Sequence, residues 1–436
     1  MSLLAVTGAN AAEGPAARVP NLPTMVEADG TLRFDHTEET LVLPKGLQPS
    51  MLVTKSGATI LQAQLPDKPF PTERMHYPSA LSTIVSYDGA KTWKQIPLKA
   101  GDNGINLEGG ITQLRDGTII ALDTYIIPDK QRAYHGIGQL YISRDEWRTV
   151  EGPIDADFDL PDSCYPSKDD GGRPHEAQRL HRRIIELPSG DLLTTIYGWL
   201  KGDSEPCPYE PRMIKSRVML VRSKDRGRHW KYESTVAVDP AVGTEGFGEP
   251  VILHVSKGPK AGRLICFMRT GREMYKAISD DGGKTWTKAV PHTFANLDIN
   301  RTELWVDMFR NIKGKKGMLD EKNLEELPGA VVDPDLIELR SGLLVAAFGV
   351  RVTQKACWRE PRHPWNGNYL AVSRDHGETW SNVIRMTSGV LTTHYMAIEE
   401  TPTDNRIYVT YDLGGWSRGM HRDIWGRFID ITVKSK

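Results

Sequence analysis

The sequence predicts an all-β chain closed into a six-bladed β-propeller, each blade a four-stranded antiparallel sheet. Three observations lead there. A short turn phrase, Ser-x-Asp followed by a Gly-rich bend and closing on or near Thr-Trp, returns five times. A strand, Gly turn, strand pattern precedes most of the copies. A sixth strand–turn–strand unit follows the last copy and has no phrase after it.

The clearest phrases are Ser279-Asp280-Asp281-Gly282-Gly283-Lys284-Thr285-Trp286 and Ser373-Arg374-Asp375-His376-Gly377-Glu378-Thr379-Trp380. The copy at Ser86 carries Ala90 at the second Gly position, and the copy at Ser223 has His229 in place of Thr. Ser143-Arg144-Asp145-Glu146-Trp147 reads as a worn copy. The intervals of 57, 80, 56 and 94 residues are irregular, as expected of repeated supersecondary units with variable loops. Asp and Ser side chains bind neighbouring backbone N–H groups, and Gly accepts positive φ, so the phrase is a hairpin turn. Its Trp opens the next strand and can bury its ring beneath the turn. These aspartates are therefore read as structural.

The units begin near residues 48, 108, 181, 249, 333 and 394. Each supplies two hairpins, hence four strands, and six such units make the ring. Closure requires strands from the two ends of the chain to share a sheet and remove its free edge. Residues 31–34 or 40–43 at the front and 426–431 at the back fit that need. Residues 1–30 then form an extension and 31–436 one domain. Insertions are expected at about 151–180, polar and Pro-rich, and at 294–330, which includes a helical stretch over 318–327.

A net charge of −1 gives no global attraction for nucleic acid or an anionic membrane. No apolar run is long enough for a membrane-spanning helix. Four Cys do not make a disulfide scaffold, although Cys164 and Cys207 could pair across an insertion in an oxidising compartment. Residues 3–12 are small and mildly apolar like the remnant of a secretory signal, and the expected location is secreted or periplasmic. His and Cys spacings match no metal motif, Gly-rich phosphate loops are lacking, and no cofactor is expected. The sequence leaves the oligomeric state open.

Aligning the units places one polar residue at each innermost strand start: Gln48, Glu108, His181, Glu249, Asp333 and His394. In a ring these positions surround the central mouth, as a funnel of carboxylates and imidazoles facing one substrate. Arg269 and Arg351 close the following strands of units four and five, with Arg362 in the next connection. Arg at a strand end can clamp an anionic group with two parallel hydrogen bonds.

The turn phrase resembles the Asp-box, the bacterial neuraminidase repeat, and its order resembles that of sialidases. In that family a Glu opens an inner strand, an Arg closes the next strand and a box follows; here stand Glu249, Arg269 and the box at Ser279. The nucleophilic Tyr of sialidases opens a later blade with no box, where this chain has His394-Tyr395-Met396. The resemblance implies Tyr395 as nucleophile, Glu249 as its base and Arg269 as a carboxylate clamp, acting on a glycan ending in an acidic sugar. A neutral phenol approaches an anomeric carbon that bears a carboxylate without charge repulsion. The family's Arg-Ile-Pro phrase is replaced by Leu47-Gln48-Pro49, so one of three carboxylate-binding Arg residues is absent. The acid/base Asp of the family belongs to the first blade's loop, which here holds Asp67, Glu73, Arg74 and His76.

Other chemistry fits the same funnel. Two carboxylates drawn from Glu108, Glu249 and Asp333 would serve ordinary glycoside hydrolysis, with His181 or His394 as proton carriers. A polysaccharide lyase or a propeller that binds glycans without cleaving them would share the scaffold.

Overall fold

The computed structural model describes residues 20–67, 80–96, 106–165, 176–208, 210–294, 297, 329–352, 357–358, 361–417 and 419–434. Strands dominate, and the described helices are two single 3-10 turns, Leu107–Gly109 and Gly258–Lys260. None is long and apolar enough to cross a membrane. Burial explains the composition of the strands. Thr59–Leu65, Ala80–Ser86 and Leu264–Arg269 are buried at every position rather than alternately. Such strands belong to sheets packed on both faces, so small and β-branched residues fill both sides.

One four-stranded sheet runs Leu47–Val53, Thr59–Leu65, Ala80–Ser86, Lys94–Gln95. A second runs Gly248–His254, Leu264–Arg269, Met274–Ser279, Val290–His292. A five-stranded sheet runs Ala330–Glu338, Leu344–Arg351, Gly367–Ser373, Ser381–Arg385 and ends on Thr24–Glu27. Another comprises Met396–Glu400, Arg406–Gly414 and Arg422–Val433, whose long last strand pairs with both Leu32–His36 and Thr40–Pro44. The chain's two ends thus share this sheet. Thr24–Glu27, in the stretch expected to be an extension, is also part of a sheet.

The second and third units depart from the expected separate sheets: they form one sheet of eleven strands. Their outer strands, Glu151–Asp159 and His229–Ala237, pair in parallel, with Phe158 opposite Trp230. Those two rings stack with centroids 6.0 Å apart. On the inner side Tyr125–Pro128 pairs with both His135–Ser143 and Gln178–Leu180. Residues 151–159, read from sequence as the start of an insertion, are therefore a sheet strand. The other insertion's helical stretch, 318–327, lies outside the described residues.

The apolar core is divided into wedges between neighbours. Phe267 of one sheet packs with Phe348 and Trp380 of the next, and Ile337 and Leu370 pack with Ile398 and Val409. Met51 and Leu61 meet Tyr408 and Ile424, and Ile60 and Val85 meet Ile119 and Trp147. Leu140 meets Leu192 and Met219 within the large sheet, and Leu220 meets Ile252 and Leu264. The succession returns to its starting sheet, which gives a propeller-like arrangement. No disulfide joins Cys164 and Cys207.

The five recurring turns share one hydrogen-bond pattern. In the copy at Ser279, the hydroxyl donates to Asp281 at 2.8 Å and accepts the Gly283 N–H at 2.9 Å; Asp281 accepts the Thr285 N–H at 3.0 Å. The worn copy at Ser143 keeps the same hydrogen bonds. Trp147 occupies the left-handed position with φ +70°, and Thr149 donates to Asp145 at 2.9 Å from its backbone and 2.7 Å from its hydroxyl.

Candidate active site at the sheet axis

The inner strands meet side by side around an axis, and each turns sharply as it enters its sheet. Gln48, Arg183, Glu249, Asp333 and His394 all have left-handed backbone, with φ between +39° and +81°. For non-glycine residues this costs on the order of 1–3 kcal/mol each. Pairing slips at three of these places, between Leu47 and Ser50, Gly248 and Val251, and Val332 and Asp335. Such a bulge re-aims a side chain out of its ladder.

Two arginines that sequence reasoning missed fill the centre. Arg182 donates to Asp333 at 2.6 Å and to the Met396 carbonyl, while the Met396 N–H donates to Asp333 at 2.9 Å. Arg183 repeats the pattern two residues along. It donates to Asp335 at 2.8 and 2.7 Å and to the Ile398 carbonyl at 2.7 Å, and the Ile398 N–H donates to Asp335 at 3.1 Å. Arg183 also pairs with Glu399. The two Arg–Asp pairs thus imitate a strand, satisfying the free edge of Met396–Glu400 that would otherwise carry unpaired peptide groups. A small axial cavity beside them is lined by Ser50, Leu107, Arg182, Arg183, Asp335 and Ala397. The double Arg before Ile184-Ile185 was the available signal; the alignment stopped at His181, two residues short of the left-handed Arg183.

Above this ladder the sequence-predicted residues converge. Tyr395 donates its hydroxyl to Glu249 Oε1, and Arg269 Nη1 donates to the same oxygen at 2.6 Å and lies 3.4 Å from the Tyr395 oxygen. The other arm of Arg269 reaches Glu245 at 3.2 Å. Burial opposes charge on Glu249, but Arg269 beside it, with help from His181 and the Tyr395 hydroxyl, holds it at about 2. Burial and the Glu249 charge push Tyr395 far up, so the phenol keeps its proton.

His181 is buried, and burial with the nearby Arg182 charge lowers it to about 4. Its Nδ1 lies 3.0 Å from the Pro250 carbonyl, which only accepts, so the neutral ring carries its proton there. Nε2 is left as an acceptor 3.9 Å from Asp333. Burial raises Glu108 to about 7, with the Glu249 charge adding to the effect and Arg182 and Arg179 opposing it. Glu108 Oε1, His181 Nε2, Glu249 Oε2 and Arg269 Nε are buried and have no hydrogen-bond partner among the described residues. Unpartnered polar atoms gathered at one point mark a place where a polar ligand gains hydrogen bonds.

Asp333, expected as a catalytic carboxylate, is wholly buried and occupied by Arg182 and the Met396 N–H. Gln48 sits behind Glu108 in the hydrogen-bond chain, accepting from Gln64 at 2.7 Å. His394 is also wholly buried; its Nε2 lies 3.1 Å from Asn366 Oδ1 and its ring meets the edge of Trp358, away from the cluster. Arg351 stacks over Trp358 at 4.9 Å, lies 5.9 Å from the Tyr395 ring and donates to the Thr393 carbonyl at 2.8 Å. Arg362 is exposed on the same connection as Trp358. Glu73 and Arg74 lie outside the described residues. A further wall, not foreseen, is Arg179, which donates to the Tyr197 hydroxyl at 3.1 Å and lies over the Tyr125 ring. Among the described residues no group of His, Cys, Asp and Glu is arranged to hold a metal ion.

No family model and no curated protein matches the chain. Solved structures do. A protein of unknown function from Dyadobacter fermentans is 18% identical, with a TM-score of 0.58 over 92% of this chain and 99% of that one. An α-L-arabinanase from Penicillium chrysogenum, complexed with arabinobiose, is 10% identical with a TM-score of 0.51 over 90% and 98%. A sialidase from Streptococcus pneumoniae is 12% identical with a TM-score of 0.50 over 91% and 70%. At these identities the likeness is one of fold.

Proposed function

We propose that this chain is a glycoside hydrolase on a six-bladed propeller, with Tyr395 as nucleophile and Glu249 as its base. The eleven-stranded sheet counts as two blades joined at Phe158 and Trp230, and the six apolar wedges support that count. The observation that carries the function is the meeting of Tyr395, Glu249 and Arg269, from three separate elements, within hydrogen-bond reach. A phenol held protonated beside a carboxylate held ionised is poised for concerted attack: Glu249 takes the proton as the oxygen bonds to the anomeric carbon. The likeness of fold to a sialidase and an arabinanase supports the same class.

The preferred substrate is a glycan ending in an acidic sugar, with Arg269 and Arg351 drawing its carboxylate. One observation favours a second reading, a neutral sugar. Both amino groups of Arg269 are already engaged by Glu245 and Glu249, and the first unit presents Gln48 where the family resemblance calls for Arg. A panel of sialylated, uronate-bearing and arabinose- or rhamnose-terminated oligosaccharides, with product detection, separates the two. Release of no sugar by the wild type, or unchanged release by Glu249→Gln and Tyr395→Phe, would overturn the mechanism. Retained glycan affinity without cleavage would make the protein a binding propeller.

A further inference from the structure

We infer that Glu108 is the general acid of this site, giving its proton to the departing glycosidic oxygen; the inference rests on the hydrolase reading above. Its first support is elimination among the described carboxylates near the axis. Glu249 is bound by Arg269 and Tyr395, Asp333 by Arg182 and Met396, and Asp335 and Glu399 by Arg183. Among the described residues Glu108 alone of this group makes no ion pair within 4 Å, and its Oε1 is buried without a hydrogen-bond partner there.

The second support is how firmly the residue is presented. Glu108 lies in the turn Leu107–Gly109, where Asn106 Oδ1 accepts its N–H at 3.3 Å. The Leu107 N–H is held by Gln62 at 3.1 Å, and the Asn106 N–H by Asp123 at 3.4 Å. Gly109 lets the turn press onto its sheet: a Cβ there would fall 2.3 Å from the Leu122 carbonyl oxygen. Gly110 follows with φ +112°. The carboxyl is therefore fixed on a rigid scaffold element, as an acid must be to protonate one particular atom. Gln64, anchored by Gln48, braces it from behind.

The charged surroundings suit the role. Glu249 and Asp333 bear on Glu108 from two sheets and Arg182 and Arg179 from a third, with the phenols of Tyr125 and Tyr197 beside Arg179. Burial and the Glu249 charge outweigh the cations, placing Glu108 at about 7 while Glu249 stays at about 2. Two carboxyls driven apart in this way divide into acid and base. In the first step the C–O bond breaks, the Glu108 proton moves to the leaving oxygen, the Tyr395 oxygen bonds to the anomeric carbon, and the phenol proton moves to Glu249. In the second, water attacks the same carbon and yields its proton to Glu108, while Glu249 reprotonates the departing Tyr395 oxygen.

The test compares p-nitrophenyl and methyl glycosides of N-acetylneuraminic acid and of L-arabinofuranose. Glu108→Gln should lose about 10²–10⁴-fold on the methyl glycoside, whose leaving group needs a proton, and stay near wild type on the p-nitrophenyl glycoside. The fall in kcat/KM above about pH 7 should vanish in the variant. Glu108→Ala with azide should yield the glycosyl azide, a readout that a merely structural role would not give. Equal losses on both substrates, or a surviving alkaline limb with no azide product, would overturn the assignment alone. Carboxyl-labelled NMR separates the two levels of the argument. No carboxyl titrating near 7 overturns the assignment directly; such a signal in a wild type that cleaves neither sugar overturns the hydrolase reading, and the assignment falls with it.

Discussion

Arg183 grips Asp335 through two parallel hydrogen bonds, Nε at 2.8 Å and Nη2 at 2.7 Å, joining the third unit to the fifth across the axis. The same guanidinium pairs with Glu399 of the last sheet. Three sheets therefore depend on one cation, and its removal would leave two carboxylates facing each other out of water. Arg183→Leu should destabilise the fold by about 3–5 kcal/mol, read as a lower urea midpoint. Replacing Arg183, Asp335 and Glu399 together by apolar residues should recover much of the loss. Recovery by no more than the sum of independent effects would show that the cluster is not a coupled unit.

Glu249→Gln should lower kcat by about 10²–10⁴-fold, because the amide accepts no proton from the phenol. Tyr395→Phe removes the attacking oxygen and should be at least as severe. Tyr395→Phe, close to isosteric, should shift the thermal midpoint little, whereas Glu249→Gln should lower it, because buried Arg269 loses a charged partner. A Tyr395→Phe enzyme that retained turnover would assign the nucleophile elsewhere.

Stability should depend on pH through buried carboxyls that act with opposite sign. Glu108 is raised from 4.5 to about 7, so the folded state keeps a proton that the unfolded chain has released. Its contribution is whole below pH 4.5 and is lost as pH climbs to about 7; Glu399, also raised to about 7 by burial, acts the same way. Glu249, lowered to about 2, contributes above pH 4.5 and is lost as pH falls through about 2. Glu108→Gln should flatten the decline between pH 4.5 and 7, raise stability at pH 8 and leave the acid-side loss in place. Urea midpoints across that range check this, and an unchanged slope contradicts it.

Ser373 accepts the buried Gly377 N–H at 3.0 Å and donates to Asp375 at 2.8 Å. Ser373→Ala leaves that N–H without a partner and should cost about 1–3 kcal/mol. Activity per folded molecule should not change, because the turn lies at the outer end of its strand. Active-site titration of the folded fraction distinguishes the two effects.

The local grammar of this chain was legible. The turn phrase and the Gly-centred hairpins follow from residue type and order, and the resemblance to sialidases is what pointed to Glu249, Arg269 and Tyr395 as one cluster. What failed depends on contacts distant in sequence. The parallel pairing of Phe158 with Trp230 joins units that local patterning separates. In the worn copy at Ser143 a buried indole, Trp147 at φ +70°, stands where the other copies lead one to expect Gly. Arg182 and Arg183 were passed over because one polar residue per unit was read at a fixed register. The inner strands instead enter through bulges, and the third unit presents its left-handed residue two places later. His394 has the polarity of a site residue, yet tertiary packing turns its ring toward Asn366.

The pairing of Leu32–His36 with Arg422–Val433 sets the order in which this molecule can assemble. During synthesis the early strands emerge almost four hundred positions before their partner, and the last sheet stays a ragged seam until Arg422–Val433 arrives. A chain this dependent on a late, distant contact is slow to mature and vulnerable to sticking to its neighbours in the interval. Once fastened, the same join seats Arg422–Val433 between Leu32–His36 and Arg406–Gly414, so unravelling through that segment must draw a twelve-residue strand out of the middle of a sheet.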